Sequence, residues 1–332
     1  MSDRGARGAR VGVREVAAAA GVSTQTVSRV LNGHPHIRPE TRRRVEEAIA
    51  RLDYRMNNAA RALGTATTRT LGIVASDAAL FGPAAGIAAL EAAARATGRW
   101  ITTAYADGAE PDAVAEAVEH LLAQGVDGIV IVAPHTGSFE RLARAGLGVP
   151  LVALHGGTGA ERQAAGAALA VDHLVERGHR RVAVLAGPAA WSEATVRADG
   201  VASALARHGL TAVATWEGDW SAENAAARAA AVAAAVRSPE GPTAIAVAND
   251  QMALGLIAGL REHGVRVPDD VSVTGFDDNP DAGFYLPALT TVRLDLAGEA
   301  RRCVDELLGV AEPADGRPAE LVVRASVAAP AA

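Results

Sequence analysis

Residues 13–33 read VREVAAAAGVSTQTVSRVLNG. Val13, Val16 and Ala17 repeat at i, i+3 and i+4, the spacing of one buried helix face, and Ala20-Gly21-Val22 interrupts it. Gly21 supplies the backbone freedom for a sharp turn. Ser23 then stands as an N-cap, its hydroxyl placed to accept from an orphan N–H of a second helix. On that helix Val27, Val30 and Leu31 fall on the inner side, and Thr24, Gln25, Ser28 and Arg29 on the outer side, at i, i+1, i+4 and i+5. The pattern predicts two short helices around a tight turn. The outer face carries the groups that read a major groove: glutamine bonds adenine, arginine bonds guanine, and threonine touches a thymine methyl. Ser23, Thr26 and Asn32 are short polar groups suited to phosphate oxygens. Taken alone, an ordinary solvated helix face would look the same.

The stretch that follows, RPETRRRVEEAIARLDY at 38–54, predicts a third helix. Pro39 stands at its start, where its missing N–H costs nothing, and Val45, Ala48, Ile49 and Leu52 line one face. Charge separates this region from the rest. Residues 1–64 carry a net +6 and the remaining chain −12, within a total of −6 over 332 residues. A basic module on an acidic body fits a polyanion partner for the first part alone. All 32 basic residues are arginine.

The length suits two or three domains, and 49% hydrophobic residues permit large cores. Cys303 is the one cysteine, which excludes an internal disulfide and fits a reducing cytoplasm; it reads as a small packed residue rather than a catalytic thiol. The opening MSDRGARGARVG lacks the apolar core of a secretory leader, and Gly, Pro or charge breaks every hydrophobic run short of membrane-spanning length, so neither a leader nor a span is expected. A soluble cytoplasmic protein is expected.

From residue 71 onward, short apolar runs (LGIVA, WITTAY, GIVIVA, PLVAL, RVAVLAG, TAIAVA and VSVTG) alternate with alanine-rich helical stretches such as 83–97, 111–124 and 251–263. Such βα repetition predicts two doubly wound parallel-sheet subdomains with a cleft between them, ligands binding beyond the carboxyl ends of the strands. Catalytic motifs are missing: there is no G-x-S-x-G, GxxxxGK[ST] or HExxH. No enzyme, metal or cofactor is expected. HGGTG at 155–159 reads as a loop, and His179 as structural. Polar residues do gather at strand ends: Asn249 and Asp250 after TAIAVA, Asp277 and Asp278 after VSVTG, with Trp220 in EGDWSAEN and Arg197 in WSEATVRADG. Carboxylate, amide and guanidinium suit vicinal hydroxyls, and an indole face suits a sugar ring. Asp277 as a helix cap and Trp220 as packing are equally compatible with the pattern.

The run VREVAAAAGVSTQTVSRVLNG…PETRRRVEEAIARLDYRMNNAARAL resembles the headpiece of the lactose-repressor family of bacterial transcription regulators. LAGP, EGDWSAEN, ANDQMALG, RVPDDVSVTGFDD and LPALTTVRLD resemble that family's effector-binding body. The resemblance implies an all-α helix-turn-helix headpiece on an α/β, periplasmic-binding-protein-like body. It places a disordered basic arm at 1–10, the headpiece at 11–55, a hinge helix or linker at 56–66, the effector-binding and dimerisation domain at 67–327 and a tail at 328–332. The implied DNA contacts are Ser23, Thr24, Gln25, Thr26, Ser28, Arg29, Asn32, His36, Thr41 and Asn57, with Leu63 as a wedge in the minor groove. Implied effector contacts are Ser76, Leu80, His155, Arg197, Trp220, Asn249, Asp277 and Leu296.

Departures from the family pattern are also visible. Gly12 replaces a Thr or Ser cap, and Met56 a proline. His155 stands where an acid is common, and Leu294 and Leu296 where Gln and Phe are frequent. The segment 155–166 is several residues short. The implied partners are a two-fold operator in double-stranded DNA, a sugar effector and a second copy of the chain, since two headpieces read such a site. The expected function is a repressor released by a sugar. A nucleobase corepressor, or a solute-binding or enzymatic body, are the rival readings.

Overall fold

The computed structural model describes residues 11–31, 33–54 and 67–330, and contacts divide the chain into two compact units between Thr68 and Arg69. The first unit contains α1 (Val13–Ala20), α2 (Thr24–Leu31) and α3 (Pro39–Arg51). α1 stops because Gly21 takes φ 64°, ψ 42°, the left-handed conformation that closes a helix. Ser23 Oγ accepts the Thr26 N–H at 3.1 Å, capping α2. At the start of α1, Gly12 has no side chain to offer; Glu15 reaches back to the Gly12 N–H at 2.9 Å, which is half a capping box.

Val16, Ala17, Ala20, Val27, Val30, Val45, Ala48 and Tyr54 form the core of this unit, with Val13, Leu31, Ile49 and Leu52 half-buried at its edge. That core is small, each buried aliphatic side chain contributing about 1.5–3 kcal/mol. Arginines add to it. Arg44 donates to the carbonyls of Ala20 and Gly21, and Arg51 to Ala19 at 3.4 Å, so α3 holds the orphan carbonyls at the end of α1. Arg42 does the same for His34 at 3.0 Å. The candidates Asn32, Asn57 and Leu63, like Met56 and the expected arm and hinge, lie outside the described residues.

The second unit is built on two parallel sheets of the same order. β1 (Thr70–Ala75), β2 (Trp100–Tyr105), β3 (Ile129–Val132) and β4 (Leu151–Ala153) assemble as β2-β1-β3-β4, connected by α4 (Phe81–Ala96), α5 (Pro111–Ala123) and α6 (Thr136–Ala145). α7 (Thr158–Glu176) leads to β5 (Val182–Ala186), α8 (Ser192–Arg207), β6 (Thr215–Glu217), α9 (Ala222–Ala227), α10 (Ala229–Val236), β7 (Ala244–Val247), α11 (Asp250–Glu262) and β8 (Ser272–Thr274), the second sheet running β6-β5-β7-β8. β9 (Thr291–Arg293), α12 (Leu296–Leu307) and β10 (Glu320–Val322) close the fold, β9 and β10 pairing antiparallel.

Central strands such as IVIV at 129–132 are buried along their whole length, because helices cover both faces of a parallel sheet. α7 packs on α8, β9 and β10, whereas α12 packs on α4 and β4. The chain therefore crosses between the subdomains after β4, after β9 and again before β10. Alanine and glycine let helices approach closely: a Cβ at Gly200 of α8 would strike the Ala164 backbone of α7. One sequence expectation is corrected here. The loop at HGGTG is only His155–Gly157, and Thr158 and Gly159 already belong to α7.

Candidate functional site

Two surfaces carry the candidate residues. On α2, Thr24, Gln25, Ser28 and Arg29 are exposed, opposite the buried Val27 and Val30. Ser23 is exposed but committed to its cap, and its hydroxyl lies 3.0 Å from that of Thr26. His36 is exposed and meets His34 edge-on at 5.7 Å. Thr41 is half-buried on α3.

The other surface is a cavity with about 650 Å³ of empty space, where the carboxyl ends of the two sheets face each other. Arg197 of α8 is its centre. The guanidinium donates to Gln163 Oε1 and to the Ala248 carbonyl, both at 2.6 Å, and pairs with Asp277 Oδ1 at 3.1 Å. It also lies 3.9 Å over the Phe276 ring. Asp277 follows β8 at φ 106°; burial pushes its carboxyl up and Arg197 opposes this. Asn249 caps α11, Oδ1 accepting the Met252 N–H at 2.8 Å while Nδ2 donates to the Trp220 carbonyl at 3.1 Å. Trp220, held at φ 73°, meets Trp191 at 5.7 Å in a T-shaped contact.

His155 follows β4 at φ 62°. Burial, with Arg197, Arg302 and Arg162 nearby, pushes its imidazole down to about 3, so it is neutral at pH 7. Leu80 and Leu296 belong to the apolar wall. The cavity thus brings together Leu80, His155, Arg197, Trp220, Asn249, Asp277 and Leu296. Ser76 is not among them. It is buried and packs against Gly108 beside His135, because the chain turns at Asp77 (φ 48°) and presents Leu80 to the cavity instead.

Other polar residues singled out in the sequence are structural. Asp278 pairs with Arg293 and Arg324, both at 2.6 Å. Asp250 accepts from the Asn279 N–H at 2.8 Å and from the Thr291 hydroxyl, and burial pushes it up to about 8. His179 bridges Thr243 and the Ala328 carbonyl, each at 2.9 Å. Cys303 is buried, its thiol pushed up to about 12.

Among the cavity residues that escaped the sequence reading are Trp191, Gln251 and Glu193. Trp191 stacks as described; Gln251 of α11 accepts the Phe81 N–H of α4 at 3.1 Å, tying one subdomain to the other. Glu193 lines the cavity with its carboxyl pushed up to about 7 by burial. Its position four residues before Arg197 on one helix was the available signal. No cluster of His, Cys, Asp or Glu able to hold a metal, and no helix long and apolar enough to cross a membrane, occurs among the described residues.

Family models match in two places: bacterial regulatory proteins of the lacI family over residues 13–57, and a periplasmic binding protein-like domain over 171–327. The lactose operon repressor of Escherichia coli (strain K12) is 35% identical over 307 residues, covering 90% of this chain and 84% of the relative. The HTH-type transcriptional repressor PurR of Glaesserella parasuis serovar 5 (strain SH0165) is 29% identical over 338 residues, covering 95% and 98%. Among solved structures, a lac repressor dimer bound to operator and the anti-inducer ONPF superimposes with a TM-score of 0.80 at 33% identity, covering 97% of this chain and all of that one.

Proposed function

The chain belongs to the lacI family of bacterial regulatory proteins, DNA-binding transcriptional repressors, and from that premise we propose that its effector is a sugar whose binding releases it from a two-fold operator. The observation that carries the sugar is the Arg197–Asp277 pair lining one cavity with Asn249, Trp191 and Trp220. A guanidinium and a carboxylate offer donors and acceptors to neighbouring hydroxyls, and indole faces cover the apolar side of a ring.

The α2 residues Thr24, Gln25, Ser28 and Arg29 read bases, Ser23, Thr26 and Asn32 hold phosphates, and His36, Thr41 and Asn57 are further DNA contacts. Leu63 is the minor-groove wedge. Two copies are needed for a two-fold site. The apolar face of Phe284 (84% exposed), Leu286 (80% exposed) and Leu254 supports pairing with a second copy. Leu80 and Leu296 come from segments packed on one subdomain, and Arg197, Trp220 and Asn249 from the other. A bound ring therefore favours one closure of the cleft, and a coupling of about 1–3 kcal/mol is typical of such linkage.

The test is a melting-temperature screen of sugars and nucleobases followed by an operator gel shift. Sugar stabilisation with loss of the operator complex is expected. Tighter operator binding with a nucleobase would replace this reading with a corepressor.

A further inference from the structure

Charge in the effector cavity does not balance. Among the described residues that line it, the charged side chains are Glu193, Arg197 and Asp277. Arg197 is the one cation, and each of its nitrogens is committed: Nε to Gln163 and Nη1 to the Ala248 carbonyl, both at 2.6 Å, and Nη2 to Asp277 at 3.1 Å. His155 adds no charge, being neutral at pH 7. Arg162 and Arg302, whose charge reaches His155, are held by Glu299, Glu306 and Asp315. Glu193 stands on α8 about one turn before Arg197. Its Oε2 is closed off from solvent and has no hydrogen-bond partner among the described residues.

A carboxylate closed off without a partner is unfavourable, and it either takes up a proton or acquires a cation. Burial pushes the Glu193 carboxyl up to about 7, with Arg197 opposing the rise and Asp277 adding to it. Near neutral pH its proton is therefore readily exchanged for another positive charge. A hydroxyl would give Oε2 a donor but leave the charge unmatched. An ammonium group supplies donor and charge together, in a charge-assisted hydrogen bond. An anion would meet two carboxyl groups. The indole of Trp191, two residues before Glu193, lines the same cavity, and an indole face attracts cations, as the Arg197 guanidinium 5.6 Å from the Trp220 ring centre already shows. Trp220 Nε1 is a buried donor with no partner among the described residues, and it suits a hydroxyl oxygen.

We propose that Glu193 sets the specificity of this site by taking an ammonium group, so that the effector is an amino sugar with a free, protonated amine among its hydroxyls. This deepens the sugar reading given above and rests on it. The Arg197–Asp277 pair then meets hydroxyls, and Glu193 meets the amine.

Calorimetry on the full-length chain at pH 7 tests it, with D-glucosamine and D-galactosamine, their N-acetyl derivatives, D-glucose, D-galactose and cyclohexylamine as probes. At least one amino sugar should bind about 10-fold or more tightly than both its neutral parent and its N-acetyl derivative, the equivalent of one charge-assisted hydrogen bond. Glu193→Gln, which keeps the shape and removes the charge, should bring that ratio close to one. A neutral or N-acetylated sugar binding as tightly as its amine would overturn the ammonium site and leave the sugar reading standing; this comparison needs no variant. An amine preference retained in folded Glu193→Gln would remove Glu193 from the role. Cyclohexylamine bound by wild type and not by Glu193→Gln, with no sugar bound, would keep the ammonium site and overturn the sugar. Binding of none of these probes would overturn both.

Discussion

The recognition helix and the effector cavity are assembled in opposite ways. On α2 the candidate contacts fall within Ser23–Arg29, and most of them point into solvent with Val27 and Val30 holding the helix from behind. The cavity instead draws residues from Leu80 to Leu296, delivered by several separate strand ends and helices. Its polar members are interlocked: Arg197 alone holds Gln163, Ala248 and Asp277. An exposed face can lose a side chain at the expense of that contact only, whereas a buried network passes the loss to its partners. Recognition and folding should separate in the headpiece and be coupled in the body.

The largest effect expected is in Arg197→Ala. It leaves the Asp277 carboxylate buried without its partner, and breaking a buried pair in this way costs about 3–5 kcal/mol. Calorimetric unfolding of the body should show that loss, together with effector binding too weak to measure and an operator complex that sugar no longer releases. An unchanged melting temperature would break the comparison, because the cavity would then behave like a surface.

Glu193→Gln sharpens it through pH. The carboxyl is held up to about 7 against an ordinary 4.5, so between those values the folded chain binds more protons than the unfolded one. Wild-type stability from this group is therefore full below the lower value and lost as pH rises through the upper one, by at most roughly 1.4 kcal/mol per pH unit. Glutamine removes the titration. The stability of Glu193→Gln relative to wild type should grow from pH 5 to pH 8 in denaturant titrations, and a constant difference would show that the carboxyl is solvated.

Gln25→Ala and Arg29→Ala probe the other side of the comparison. Each should lose about 1–3 kcal/mol of discrimination at one base pair, seen as a relaxed motif in a binding-site selection. Melting temperature and sugar affinity should stay at wild-type values. Selection of the wild-type motif by Arg29→Ala would remove it from the groove. Smallest is Ser23→Ala, which deletes the cap of α2 at about 1 kcal/mol. It should lower headpiece stability and weaken operator binding on all sequences equally; a change in base preference would make Ser23 a base contact instead.

Legibility followed the same division. The helix starts at Ser23 and Pro39 and the stop at Gly21 depend on residues within one turn, so the sequence displays them directly. The long central strands and the helices at 81–96, 111–123 and 250–262 were equally plain from their apolar runs. β6, β9 and β10 were not, because TWE, TVR and ELV are three residues each and mix charge with apolar side chains. Too few positions remain for a period of two to register.

Residue pattern alone therefore determined that this chain has a helix-turn-helix headpiece, a βα-repeating body and polar groups at its strand ends, since each of these is a property of neighbours in sequence. Tertiary structure decided which polar groups meet. It turned Ser76 away at Asp77, brought Gln163 to Arg197, and sent Asp278 to Arg293 and Arg324 while Asp277 went to the cavity. Adjacent aspartates have the same local chemistry, and only the packing of distant segments separates the one that lines the cavity from the one that holds a strand.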